Sequence, residues 1–354
     1  MYVPHLKRIT WIGFLAGLSV FVLLVGYYGI AAIAAAVAVA GMGGLALIAA
    51  AHILPLAAEA IGWRFLFEPA QRPRCRTLLW ARWIGESVDT LLPVAQVGGD
   101  LVRIRLFTRL GMSGTMVAAT LVADRTLTVA ALIGFTLVGL ILLVSLVTAD
   151  GIALPVLLAA LVGMLLLGGF YVAQQRGLFG ALARMFQTFG GSLNAKVVNG
   201  ANALDQEIRA VYARRKDVLL SAFWLSAAWI FGVVEVWLAL WLLGYPVNLL
   251  AALLIESLVQ GIRAAAFLIP GALGAQEGGF LIVGTLVGVP ADAALALALT
   301  RRVRELAFGV PGILAWPWFE ACSQRLKQRR GQAEARRQTL AGRALVTAPW
   351  RRGW

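Results

Sequence analysis

Residues 11–58 contain no Asp, Glu, Lys or Arg. A helix needs about 20 consecutive apolar residues to cross the hydrocarbon core of a bilayer, so this stretch alone holds enough chain for two crossings. Further oily segments lie at 41–67, 115–148, 152–175, 218–243 and 291–319. Only 14% of the 354 residues are charged and 60% are hydrophobic, whereas a soluble domain carries about a quarter charged residues. Two more apolar stretches, 83–98 and 249–289, are broken by Pro, Gly and charges. Broken backbone is tolerated at membrane depth only where protein or a wet cavity covers it. The expected fold is therefore an all-α polytopic membrane protein of about six full spans plus two re-entrant helical hairpins. One or both hairpins crossing fully, for seven or eight spans, is the competing topology.

The net charge of +14 does not point to nucleic acid, because the basic residues sit between the oily segments. Two Lys/Arg lie in 1–10, four in 68–82, seven in 176–217 and nine in 325–352, while 32–40, 148–151 and 244–248 have none. Cytoplasmic loops carry such an excess, so both termini are expected in the cytoplasm. The expected organisation is one transmembrane domain over 1–320, a cytoplasmic connector over 176–217 and a basic tail over 321–354. The tail is a topology signal or a contact for anionic lipid heads. In the connector, Asp205, Glu207 and Arg209 with Ile208 and Val211 read as a short amphipathic surface helix or as a solvated linker. Lys7-Arg8 before an apolar run resembles a signal peptide, but the run is long for one and reads as an uncleaved first helix. Cys75 and Cys322 lie beside basic segments, where thiols stay reduced. No metal-ligand spacing, nucleotide-binding loop or hydrolase motif occurs, so no cofactor is expected.

The two broken stretches match each other. With Pro93 laid on Pro270, an offset of 177, Asp100 falls on Glu277, Thr108 on Thr285, Gly111 on Gly288, Ala119 on Ala296 and Arg125 on Arg302, with no gap. The repeat cores run over about 83–148 and 249–319. If the two copies enter from opposite sides they form an inverted repeat, and paired interruptions in such repeats point to a binding site at their interface. Pro93, Pro270, Gly271 and Gly274 are the expected hinges, since proline removes a helix hydrogen bond and glycine permits a tight reversal.

Charges inside a membrane are costly and turn toward each other or a wet cavity. Glu86, Asp89, Gln96, Asp100, Arg103 and Arg105 surround the first break, and Asp124-Arg125 opens a long uncharged run. Arg263, Gln276 and Glu277 surround the second, with Arg301, Arg302, Arg304 and Glu305 on the helix after it; Arg301 and Glu305, four apart, share a helical face. Arginine's fork suits phosphate or carboxylate, and for each arginine a structural ion pair is the competing reading. Glu59 and Arg64 read as interfacial and Arg109 as snorkelling. Glu235 reads as a proton-carrying or merely hydrogen-bonded carboxylate, and His52 as a satisfied core histidine.

The segments LLPVAQVGGDLVRIRLFTRLGMS (91–113), ADRT (123–126) and LIPGALGAQEGGFLIVGTLVGVP (268–290) followed by RRVREL (301–306) resemble the membrane domain of the lysylphosphatidylglycerol synthase/flippase superfamily. Residues 86–100, E-x-V-D-T-L-L-P-V-A-Q-V-G-G-D, are most similar to members associated with hopanoid biosynthesis. The resemblance implies a multi-pass domain of the bacterial inner membrane that translocates lipid, with re-entrant helices around a polar cavity for the headgroup. By motif position it assigns Gly98, Gly99, Asp100, Arg103, Asp124, Arg125, Gln276, Glu277 and Arg302 to that cavity. Relatives that also synthesise aminoacyl lipid carry a soluble transferase domain after the membrane part; the basic tail here leaves no room for one, so translocation without synthesis is the expectation. The alternatives are a membrane enzyme of hopanoid or glycolipid tailoring with Asp100 or Glu277 as acid/base, and an accessory protein that gathers lipid-biosynthesis enzymes. The expected partner is a membrane lipid, and an oligomer is compatible with the sequence.

Overall fold

The computed structural model describes residues 30–92, 98–146, 153–188, 195–266, 272 and 274–346. Among them it is helical, without strands. The elements in chain order are α1 (Ile30–Ala51), α2 (Ile53–Leu66), a short 3-10 turn at Pro69–Gln71, α3 (Cys75–Leu91), α4 (Gly98–Arg109), α5 (Gly114–Leu146), α6 (Ala153–Gln175), α7 (Leu178–Thr188), α8 (Ala195–Ala213), α9 (Arg215–Leu242), α10 (Leu249–Ala265), α11 (Ala275–Leu286) and α12 (Ala291–Val346). Three stretches among the described residues are long and apolar enough to cross a membrane: Ala38–Leu66, Gly114–Ser145 and Arg215–Leu242. The segment 291–319 is helical but carries Asp292, Arg301, Arg302, Arg304 and Glu305 and is not one of them. Its helix runs without interruption to Val346, through Pro311 and Pro317, so most of the expected tail continues a helix that begins inside the core.

The repeat is visible in the helix boundaries. α4 and α11 have 12 residues each, and both their first and last residues are 177 apart. α5 and α12 also begin 177 apart, at Gly114 and Ala291. α4 and α11 even end alike: Gly111 and Gly288 have φ of 93° and 83°. Around them Met112 N–H bonds Phe107 C=O (3.1 Å) and Val289 N–H bonds Gly284 C=O (2.9 Å), equivalent positions of one glycine-terminated cap. The preceding helices α3 and α10 have 17 residues each but are offset by 174. The break between α10 and α11 is three residues longer than that between α3 and α4. At about 1.5 Å per residue, the 12 residues of α4 or α11 reach roughly 18 Å, too short to cross about 30 Å of hydrocarbon alone.

The copies interlock. α5, the long helix of the first, packs on α10, the first helix of the second; α12 packs on α3 in return. This mutual exchange is what a two-fold relation produces. Small residues set the crossing distance, as they do between membrane helices. A Cβ added to Gly139 of α5 would lie 1.9 Å from Ser257 Oγ of α10, and one added to Gly312 of α12 would lie 2.0 Å from Ser87 Oγ of α3. Each copy gathers its own core. Leu78, Ile84, Leu106, Phe107 and Val117 pack with Trp63, Phe67 and Ile208 around the first, and Ile255, Phe280, Val283 and Leu297 pack with Phe135, Val236 and Leu240 around the second. Within 176–217, α8 takes the helical form of the two expected and buries Ile208 and Val211 in the first core, and Asp205 accepts from the N–H groups of Phe179 (3.1 Å) and Gly180 (2.7 Å), capping α7.

Filling the glycine contact tests the interlock. Gly139→Ala is expected to lower the thermal unfolding midpoint of the purified protein, at a cost of about 1–3 kcal/mol, the usual range for overpacking. Ser257→Gly in the same chain is expected to recover most of it, because it empties the space the new methyl group needs. An unchanged midpoint in the single variant would show that the helices do not meet there.

Candidate functional site

The first break is closed by side chains. Asp89, on the last turn of α3, accepts from Gly99 N–H (2.8 Å) at the start of α4, satisfying one of the orphan donors of a helix N-terminus. A Cβ on Gly99 would lie 2.2 Å from Gly85 C=O, so the two helices meet backbone to backbone. Gly98 and Gly99 therefore lie in the first turn of α4 and do not form the reversal itself; glycine is needed at 99 for close approach. Arg125 of α5 binds both carboxylates of the break, Asp100 through Nε (2.8 Å) and Nη2 (3.0 Å) and Asp89 through Nη2 (3.0 Å). Arg103 donates to Asp100 (2.5 Å) across one turn. Arg82 of α3 grips Asp124 of α5 with two bonds (2.6 and 3.3 Å) and reaches Glu59 of α2 (3.0 Å).

The second break repeats this. Glu277 accepts from Gly274 N–H (2.7 Å) at the start of α11 and from Arg302 Nε of α12 (2.8 Å). Gly274 has a φ of 76°, as expected of a hinge. Asp100–Arg125 and Glu277–Arg302 occupy positions 177 apart and use the same guanidinium nitrogen, Nε. Arg301 of α12 binds Glu256 of α10 with two bonds (2.5 and 2.8 Å). Position 256 corresponds to 82 and 301 to 124, so the same buried contact recurs with its polarity reversed. Arg82 lies 5.9 Å from the centroid of the Trp63 ring and Arg301 5.6 Å from that of Phe280. Arg302 also binds Glu305 (2.7 Å), which Arg263 approaches at 3.6 Å. Arg301 and Glu305 share a face, as expected, but each takes another partner.

His52 joins the halves. Its ring reaches Glu86 of α3 (3.0 Å) and Glu235 of α9 (2.9 Å), and Arg304 of α12, itself 3.1 Å from Glu235, contacts it. Trp83 adds a neutral link between α3 and α12, donating to Phe308 C=O (3.0 Å). Across this network seven guanidiniums, those of Arg82, Arg103, Arg125, Arg263, Arg301, Arg302 and Arg304, are ion-paired with eight carboxylates, those of Glu59, Asp89, Asp100, Asp124, Glu235, Glu256, Glu277 and Glu305, and a ninth carboxylate, Glu86, is held by His52. Among the described residues, Gln276, beside Glu277, is fully buried and neither its amide nitrogen nor its oxygen has a partner; the buried hydroxyls of Ser221 and Thr300 also lack one. Such an amide fits a polar ligand or water.

Glu86, Asp89, Asp100, Arg103, Asp124 and Arg125 thus come together at the first break, and Arg263, Gln276, Glu277, Arg301, Arg302 and Glu305 at the second. Gln96, Pro93, Pro270 and Gly271 lie outside the described residues. Participants beyond the two expected clusters complete the site. Arg82, counted with the basic loop 68–82, is 2% exposed inside α3. Glu59, taken as interfacial, is its partner, and Glu256, Glu235 and His52 complete the network. Arg105 pairs with Glu320, docking α4 on α12.

An all-helical domain with membrane-length apolar helices, an internal repeat and a buried charge network belongs to the class of integral membrane domains. The model of the lysylphosphatidylglycerol synthase transmembrane region matches residues 10–312, and the chain belongs to that family. Comparison with curated proteins and with solved structures returned no match.

Proposed function

We propose that this domain moves a polar lipid across the bacterial inner membrane, with the headgroup taken up beside the two breaks and the chains left in the bilayer. What carries this reading is the pair of equivalent sites, Asp100–Arg125 and Glu277–Arg302, one per copy and each next to a broken segment. Family membership supports a membrane-lipid role. Every arginine of the network is engaged by carboxylates that outnumber the guanidiniums eight to seven, so a bare anion would have to displace carboxylates already in place. A headgroup with an amine beside its phosphate exchanges ion pairs one for one: the amine faces Asp100 or Glu277 and the phosphate faces Arg125 or Arg302. Polar hopanoids, to which the similarity of residues 86–100 points, are the natural first alternatives to phospholipids. The enzyme reading has no comparable support, since Asp100 and Glu277 are both held in ion pairs.

Full-length protein in vesicles containing acyl-chain-labelled lipids tests the proposal, with an impermeant reductant quenching the outer leaflet. Protein is expected to expose the inner-leaflet label, faster for phosphatidylethanolamine than for phosphatidylglycerol. Gln276→Leu, which keeps the volume and removes the free amide, is expected to slow this by about tenfold, the equivalent of roughly 1.4 kcal/mol. Rates equal to protein-free vesicles for every lipid, polar hopanoids included, would overturn the proposal.

A further inference from the structure

His52 lies where α1 gives way to α2, and three helices bring charge to its ring. The groups acting on it are Glu86 of α3 at Nε2 (3.0 Å), Glu235 of α9 at Nδ1 (2.9 Å) and Arg304 of α12, whose Nη1 contacts the same Nδ1. Phe308, one turn beyond Arg304, packs edge-on at 5.3 Å. Further out, Arg103 of α4 acts on Glu86, Arg301 of α12 acts on Glu235, and Glu305 lies 3.9 Å from Arg304.

A carboxylate oxygen accepts, a guanidinium N–H donates, and an imidazole nitrogen does one or the other according to whether it carries a proton. Nδ1 therefore cannot serve Glu235 and Arg304 together. Protonated, it donates to Glu235; bare, it accepts from Arg304. Nε2 keeps its proton in both arrangements, because the Glu86 carboxylate can only accept. The first arrangement is the imidazolium and the second is the neutral ring, so they differ by one proton.

We propose that His52 is a proton-binding site, and that a proton on Nδ1 decides whether the ring is held by Glu235 of α9 or by Arg304 of α12. The ligand is a single proton taken from water, and no other bond is made or broken. The Glu86 side chain is the least enclosed of the three, 37% exposed where those of His52 and Glu235 are 12% and 5%. With the ring neutral, the carboxylates of the network exceed its guanidiniums by two, and protonation halves that excess. Its consequence rests on the lipid-moving reading. Arg304 adjoins Glu305, which pairs with Arg302 and so with Glu277, and proton occupancy thereby sets how α12 is tethered beside the second break. Chains of acidic residues and histidine inside membranes serve this purpose in pumps and transporters.

The chain has two histidines, so His5→Gln leaves His52 alone. Full-length protein with nitrogen-15 histidine, in lipid nanodiscs, is titrated between about pH 5 and pH 8, the range in which histidine ordinarily changes charge, and the imidazole nitrogen shifts are read. The expected result is an imidazolium at the acid end and a neutral ring with its proton on Nε2 at the other. Arg304→Gln, which removes the competing cation, raises the midpoint by about one pH unit, equivalent to roughly 1.4 kcal/mol. A single charge state throughout, or a neutral ring protonated on Nδ1, overturns the proposal. The unsubstituted Arg304 protein decides this by itself if that variant does not fold. Neither reading needs lipid movement, so a failed vesicle assay with a titrating His52 would sink the transport proposal and leave the proton site standing.

Discussion

Glu256→Gln is expected to cost about 3–5 kcal/mol, the range for removing one partner of a buried ion pair, and so to take much of the roughly 5–15 kcal/mol that holds a domain folded. Arg301 is 7% exposed and Glu256 1%, and a guanidinium left there without its carboxylate has no solvent to turn to. The equivalent contact in the first copy supplies the rescue. Glu256→Arg combined with Arg301→Asp writes the Arg82–Asp124 pair into the second copy, and the double variant is expected to recover more than half of the lost stability. Recovery falls short of complete because Gln260, which donates to Glu256 (2.7 Å), loses its acceptor, and the Phe280 ring beside Arg301 loses its cation. Thermal unfolding of the detergent-solubilised protein, read with the folded yield on gel filtration, checks both. A double variant no more stable than the single one would mean that the two contacts are not equivalent.

That polarity reversal also shows where the sequence stops being legible. Downstream of each break the copies hold one register, 177, through the short helix, its glycine cap and the start of the long helix, so a gapless comparison found Asp100 with Glu277 and Arg125 with Arg302. Upstream, the three extra residues before α11 shift the register to 174, and Arg82 faces Glu256. An alignment seeking like with like cannot see an arginine and a glutamate as the same position, and Arg82 follows three other arginines of a basic loop although it lies on the buried face of α3 with Leu78 and Ile84. Hydropathy placed the apolar segments because burial in lipid is written in composition. It could not reveal that 291–346 is one helix, since the apolar run that passes the charges along Arg301–Glu305 and the prolines at 311 and 317 stops near 319 and the basic stretch after it reads as a tail. Neighbours of them, Glu256 and Glu277, answer the charges, and packing on α3 and α11 carries the helix past. His52 was invisible for a related reason. Its partners lie 34, 183 and 252 residues away, and nothing local distinguishes it from an ordinary buried histidine.

Arg125→Gln and Arg302→Gln are expected to push the protein in opposite directions. Each residue ties a short helix to the long helix of its own copy, through Asp100 in one and Glu277 in the other, and the two copies pack on each other reciprocally. If they enter the membrane from opposite faces, as in transporters with paired broken helices, loosening one copy favours opening to one leaflet and loosening the other favours the opposite leaflet. A hydrogen bond to a charged group contributes roughly 1.5–3 kcal/mol. The Arg125 side chain is 39% exposed and that of Arg302 only 6%, so the first pair is the less enclosed and its loss belongs at the low end. A tenfold change in a conformer ratio needs about 1.4 kcal/mol, so both variants should shift accessibility by about tenfold or more, Arg302→Gln further. On the proposed lipid-moving function both should also slow lipid movement, because a carrier held toward one side no longer returns. The measurement is the labelling rate of a single cysteine introduced near each break, in protein carrying Cys75→Ser and Cys322→Ser, with an impermeant reagent on one side of the vesicle. Rates that rise on one side and fall on the other, with the sides exchanged between variants, are the expected pattern. Two variants that shift the same way would mean that the repeat is a relic of duplication, with both copies serving one face of the bilayer.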